Sequence, residues 1–158
     1  MANGKKIYDF KLDEISGEVI DFANFKNKNI LIVNTASACG YTSQYEQLQA
    51  LSDEFKDDLI VVGVPSNDFG QQEPGDENEI RAFCTTNFHI DFPLSRKTKV
   101  SGEEVHPMFE WLVDQPANNI GEISWNFHKF FIGKDGELLA HFSSATDPYS
   151  DAILDLIH

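Results

Sequence analysis

Two uninterrupted apolar runs constrain this 158-residue chain more than any other feature. One is Ile30, Leu31, Ile32 and Val33, inside a strand expected over residues 29–36; the other is DLIVVGVP, residues 58–65. A strand without polar alternation is covered on both faces, as happens in parallel sheets flanked by helices. Between the runs, Tyr45, Leu48, Leu51 and Phe55 recur at helical intervals, and Ser43 with Glu46 has the spacing of a capping box. Strand, helix, strand in that order makes a parallel pair with a right-handed crossover. At the turn from the first strand into the helix, in the stretch NTASACGYTSQYE, stands Cys39. A thiol there is near free backbone N–H groups and the positive end of a helix dipole, both of which favour thiolate. The same residue would serve equally as a small buried hydrophobe.

The rest of the chain reads as support for this unit. Residues 7–12 and 18–22 flank Ser16 and Gly17 as an N-terminal hairpin. After a loop over residues 66–76, a helix over 77–87 carries Ile80, Phe83, Cys84 and Phe88 on or beside one face. Residues 89–96 read as a short strand and 106–114 as a helix with Met108, Phe109 and Leu112 inward, Trp111 being core beside them. Residues 129–132 and 137–142 bracket Gly133 to Gly136 as a second hairpin. Asp147 as N-cap, with Pro148 at the first helical position, opens a last helix. No repeat or linker interrupts the chain, so residues 1–158 are expected to form a single domain.

Composition removes several function classes. A net charge of -14 argues against nucleic acid and anionic lipid as partners. No apolar stretch approaches the ~20 residues needed to cross a bilayer, so no stable membrane association is expected. The start, MANGKKIYDF, lacks a signal-peptide core, which makes the cytoplasm the expected location. Two cysteines and five histidines without paired ligand spacing give no metal site, and no cofactor is expected. The glycines at 70 and 75 have phosphate-loop spacing, but the segment contains Glu73 and lacks the Lys-Ser/Thr ending, which excludes that reading.

The order strand, helix, strand, helix, hairpin, helix is that of the thioredoxin-like fold, an α/β architecture with a central mixed sheet flanked by helices. Cys39 falls where that fold keeps its active cysteine. Thr42 stands three positions on, so a C-x-x-C dithiol centre is excluded at this turn. At three places the chain resembles the glutathione peroxidase family: NTASACGYT (34–42), NDFGQQEPG (67–75) and WNFHKF (125–130). With the order of elements, the resemblance runs from about residue 7 to residue 157. It implies a peroxidase that reduces hydrogen peroxide and organic or lipid hydroperoxides, with a catalytic tetrad that falls on Cys39, Gln72, Trp125 and Asn126. Read alone, Gln72 would be a solvated loop residue, Trp125 plain core and Asn126 a turn former; the resemblance selects them.

The chemistry needs those residue types. A thiolate attacks one peroxide oxygen while an alkoxide or hydroxide leaves, so donors must surround the developing charge. A thiol pKa falling from about 8.5 to about 6.5 would raise the thiolate fraction at pH 7 by at most ~30-fold, and lower basicity weakens the nucleophile. Fixed amide and indole donors must then supply the larger share, about 10²-fold or more each. The resemblance also makes Cys84 the resolving cysteine, closing a Cys39–Cys84 disulfide, although its helical face equally fits a structural core thiol. Resolution would require that helix to open locally.

Two departures from the family pattern are Ser66, where a cysteine is frequent, and Asp68, where glutamine is frequent and whose charge would alter the pocket. No lysine or arginine is close to Cys39 in sequence, so anionic glutathione should bind poorly and thioredoxin is the expected reductant. Arg96, Lys97 and Lys129 are the cations that could still fold over the site. The short connection from Trp111 to Trp125 leaves little room for the extra segment of tetrameric members, giving a monomer. A peroxide sensor or relay that passes its disulfide to a partner protein would need the same fast thiol.

Overall fold

The computed structural model describes residues 5–115, 123 and 125–157. In chain order its strands and α-helices are Lys11–Asp13 (β1), Val19–Asp21 (β2), Asn29–Thr35 (β3), Gln44–Glu54 (α1), Leu59–Pro65 (β4), Glu77–Phe88 (α2), Pro107–Val113 (α3), Lys129–Ile132 (β5), Leu138–Phe142 (β6) and Asp151–Leu154 (α4). Strands β1 and β2 pair antiparallel as a separate hairpin, and a four-stranded sheet has the order β4-β3-β5-β6. Within it β3 is parallel to β4, with Ile30 beside Ile60, and antiparallel to β5, with Leu31 beside Phe131. The sheet is therefore mixed, as the thioredoxin-like order requires.

Every residue of β3 is buried, and its side chains alternate between two cores. Ile30 and Ile32 join Val62, Val64, Met108, Phe109, Leu112 and Phe130 on one side. Leu31 and Val33 join Leu48, Leu51, Val61, Ile80 and Phe131 on the other, and both cysteines lie in this second layer. An unbroken apolar run is thus two half-buried faces superimposed. Each fully buried side chain of this kind contributes roughly 1.5–3 kcal/mol. Truncating Ile32 to alanine would cost about 2–5 kcal/mol.

Four expectations need correction. Ile7–Asp9 is a 3-10 helix, so the first strand starts only at Lys11. Ser43 stands at the N-cap of α1 but its side chain makes no capping bond, because residues before it already coil: Thr42 N–H bonds Cys39 O at 3.1 Å, Gln44 N–H bonds Tyr41 O at 2.9 Å and Glu46 N–H bonds Ser43 O at 3.1 Å. The capping box belongs instead to α2, where Asp76 and Glu79 bond each other's backbone N–H at 2.9 and 3.2 Å.

Residues 89–96 make no strand, only isolated bridges from Leu94 to Gly63 and from Ser95 to Glu14. Pro93 has no N–H to extend a ladder there. The approach is close enough that a Cβ on Gly63 would lie 2.7 Å from Leu94 Cδ2. The last helix begins after Ser150, not at Pro148, since the Asp147 carboxylate accepts from Tyr149 N–H at 2.8 Å and forms a turn. Most of the connection between Trp111 and Trp125 lies outside the described residues. Among the described residues no helix is long and apolar enough to cross a membrane.

Candidate active site

Cys39 follows the end of β3 and is 9% exposed. Its turn is closed by Thr42, at the position a dithiol centre would give to its second sulfur. The Thr42 hydroxyl accepts from Cys39 N–H at 2.9 Å and donates to Ala36 O at 2.8 Å. Tyr41 N–H donates to Cys39 Sγ at 3.3 Å. The sulfur's backbone donor is therefore in the turn itself, three residues before α1 begins at Gln44.

Two distant segments close on this turn. Gln72 O accepts from Ala38 N–H at 3.0 Å, which ties the loop after β4 to the residue preceding Cys39. The Asn126 carboxamide donates to Phe69 O at 3.1 Å and to Gln72 Oε1 at 3.0 Å. A backbone carbonyl can only accept, so Phe69 O fixes which end of Asn126 is the amine. That in turn fixes Gln72 Oε1 as an acceptor and leaves Gln72 Nε2, with its two N–H groups, as the donor end, without a hydrogen-bond partner among the described residues. Trp125 packs on Gly70, whose φ is 68°; a Cβ there would lie 2.7 Å from the indole Cη2. Its carbonyl accepts from Asn34 Nδ2 at 3.0 Å, and Asn34 O accepts from Phe127 N–H at 2.6 Å. Gln72, Trp125 and Asn126 are thus joined in one hydrogen-bonded and packed assembly with the Cys39 turn.

Cys84 lies midway along α2, 1% exposed, and both thiols are free. Burial pushes the Cys84 thiol up to about 11, against a lowering contact with Tyr45 and with the Glu73 charge adding to the rise. Glu73 is itself buried, and burial raises its carboxyl above the usual range despite the Ser37 groups facing it.

The cations and Asp68 behave differently from expectation. Asp68 adds no free charge to the pocket: its carboxylate accepts from Val100 N–H at 2.7 Å, Ser101 N–H at 3.2 Å and Lys99 Nζ at 2.9 Å. Burial alone would raise its pKa, but Lys99, Val100 and Ser66 outweigh it and hold the carboxyl below its ordinary value. Arg96 and Lys97 line a cavity of about 500 Å³ with Lys11, Lys99, Glu77 and His106, beside the N-terminal hairpin. The Lys97 charge acts on Glu73, next to Gln72, whereas Lys129 is fully buried, with its ammonium bonded to carbonyl oxygens. Thr42, Asn34 and Asp68 are supports that motif reading passed over, although each lies inside a quoted motif. No cluster of three or more metal-binding side chains occurs among the described residues.

Comparison with known proteins gives the family. The glutathione peroxidase family model matches residues 7–113. The chain is 45% identical over 144 residues to a glutathione peroxidase homolog, BsaA, of Halalkalibacterium halodurans, covering 90% of this chain and 92% of that protein. It is 41% identical over 152 residues to a glutathione peroxidase-like peroxiredoxin of Chlamydomonas reinhardtii, covering 95% and 93%. The crystal structure of Trgpx in apo form superposes with a TM-score of 0.75 at 34% identity, over 97% of this chain and 95% of that one. The chain therefore belongs to the glutathione peroxidase family, peroxidases built on a thioredoxin-like fold.

Proposed function

We propose that this thiol peroxidase works through Cys39 as the attacking sulfur, with Gln72 and Trp125 as donors and Asn126 as the group that orients Gln72. The observation that carries the assignment is the pair of bonds from Asn126 Nδ2 to Phe69 O and Gln72 Oε1. With both its N–H groups engaged, Asn126 has none left for peroxide, so it acts through Gln72.

The Cys39 thiolate attacks one oxygen of a hydroperoxide, the O–O bond breaks, and the leaving alkoxide or hydroxide takes up a proton as alcohol or water. Cys39 is left as a sulfenic acid. Donors that do not titrate stabilise the leaving oxygen across the working pH range. Cys84 then attacks that sulfur, releasing water and closing the Cys39–Cys84 disulfide, which a dithiol protein of the thioredoxin type reduces. The acidic chain favours such a protein over glutathione. A cytoplasmic monomer without metal or cofactor completes the reading.

The test is peroxide-driven NADPH oxidation with thioredoxin and its reductase, run beside glutathione and its reductase. Faster turnover with glutathione would overturn the choice of reductant. Cys39→Ser should abolish turnover in both assays.

One observation favours a second reading, a peroxide relay. A buried Cys84 with its thiol at about 11 resolves slowly, which gives a partner protein's thiol time to reach oxidised Cys39. Mixed disulfides trapped with one partner, together with negligible thioredoxin turnover, would select the relay.

A further inference from the structure

Lys129 lies on β5, opposite Val33 on one side and Phe142 on the other, with none of its surface exposed. An ammonium withdrawn from water is costly unless fully paired. Among the described residues Lys129 makes no ion pair. Its Nζ donates instead to three carbonyl oxygens: Phe127 at 2.7 Å, Ser144 at 3.1 Å and Ser143 at 3.3 Å. Burial pushes its pKa down to about 7, partly opposed by the Asp147 charge. A methionine here would avoid the cost of burying the charge but would leave Phe127 O without this donor, so the lysine is to be read together with the carbonyls it binds.

Two of the three carbonyls belong to residues tied to Asn126, Phe127 by the chain and Ser144 by its hydroxyl. Phe127 is held at φ 63°, a left-handed conformation that a bulky residue keeps only where its surroundings impose it. Asn34 O takes its N–H at 2.6 Å, and Lys129 takes its carbonyl. Ser144 O also receives Gln44 Nε2 at 2.8 Å, and the Ser144 hydroxyl donates to Asn126 O. One ammonium thus gathers the residue after Asn126 and the residue bonded to the carbonyl of Asn126.

We propose that Lys129 is a positioning residue for peroxide reduction: its buried ammonium ties the turn at Phe127 to Ser144 and so holds Asn126, and through it Gln72, in register with Cys39. The inference rests on the tetrad reading above. Its role is geometric, since the Nζ bonds reach carbonyls and not the reacting atoms.

Two reactions of Cys39 separate this from a merely structural role. Oxidation by hydrogen peroxide expels hydroxide and needs the donors, whereas alkylation by iodoacetamide expels iodide and does not. Both are followed on the Cys39 peptide by mass spectrometry, at pH 7 and below the melting temperature. In Lys129→Met the peroxide rate should fall roughly tenfold or more while alkylation stays within about twofold.

If Lys129→Met fails to fold, Ser144→Ala decides, since it keeps the ammonium and cuts the hydroxyl bond to Asn126 O. It should show the same selective loss, smaller in size. A ratio of peroxide to alkylation rate equal to or above that of the unmodified protein overturns the proposal. An unmodified protein whose Cys39 does not react with peroxide overturns the tetrad reading itself, a result distinct from an unchanged ratio.

Discussion

Cys39 and Cys84 belong to the same core layer, yet their surroundings oppose each other. Cys39 sits on a turn closed by Thr42, with a backbone N–H on its sulfur. Cys84 sits inside α2, where burial disfavours its thiolate and the Glu73 charge adds to the effect. A thiol on a turn is presented to a reactant, whereas one in a helix is withheld until the helix yields. On the proposed assignment, this separates oxidation from resolution in time.

The comparison can be broken most directly by exchanging each sulfur for oxygen. Cys39→Ser should remove all peroxide consumption. Cys84→Ser should retain one stoichiometric oxidation of Cys39 and lose thioredoxin-supported cycling; undiminished cycling would end the resolving assignment. Next in size, Gln72→Ala should slow the peroxide attack about 10²-fold, measured by stopped-flow on the reduced protein. Asn126→Ala should approach the same loss if its part is to orient Gln72, and the double variant should then add little to either.

Smaller effects sharpen the contrast between the two thiols through stability. Thr42→Val removes the hydroxyl that bridges Cys39 N–H and Ala36 O, and should lower stability by about 1–3 kcal/mol in urea titrations. Cys84 has its folded pKa raised from 9.0 to about 11, so the folded state holds that proton more tightly. The resulting stability is fully present below about pH 9 and is lost as pH rises through about 11. Cys84→Ala should therefore lose less stability between those values than the unmodified chain.

Smallest of all, Asp68→Asn should cost about 1 kcal/mol at neutral pH, discounted for its partly open setting. Asp68's carboxyl is held below its ordinary value, so its contribution is present above that value and fades as pH falls through the lowered one. The asparagine variant should show a flatter acid limb.

Much of this was legible before any coordinates. The runs at 30–33 and 59–64 announced β3 and β4 because continuous apolar sequence leaves a strand few places but the middle of a sheet. The helical spacing of Tyr45, Leu48 and Leu51 gave α1. Its start after Ser43 matches the spacing, but the capping bonds are absent because hydrogen-bonded turns before Ser43 already satisfy what a cap would satisfy. Residues 89–96 looked like a strand by composition, but Pro93 and a close contact with Gly63 limit them to bridges. For the site, residue types came from motif resemblance, whereas the division of labour between Gln72 and Asn126 needed the carbonyl of Phe69, which no pattern of side chains encodes. Lys129 was least legible. Its partners lie in turns at 127 and 143–144, and a lysine at a strand's start reads as a surface residue until the chain folds over it.

Thr42 carries a consequence for how such a protein can change its trade. A cysteine at 42 would recreate the two-sulfur spacing of disulfide exchangers in one substitution. The same change would take away the oxygen that receives Cys39 N–H and grips Ala36 O. The second sulfur would arrive on a slackened turn, serving peroxide less well and disulfides not yet well.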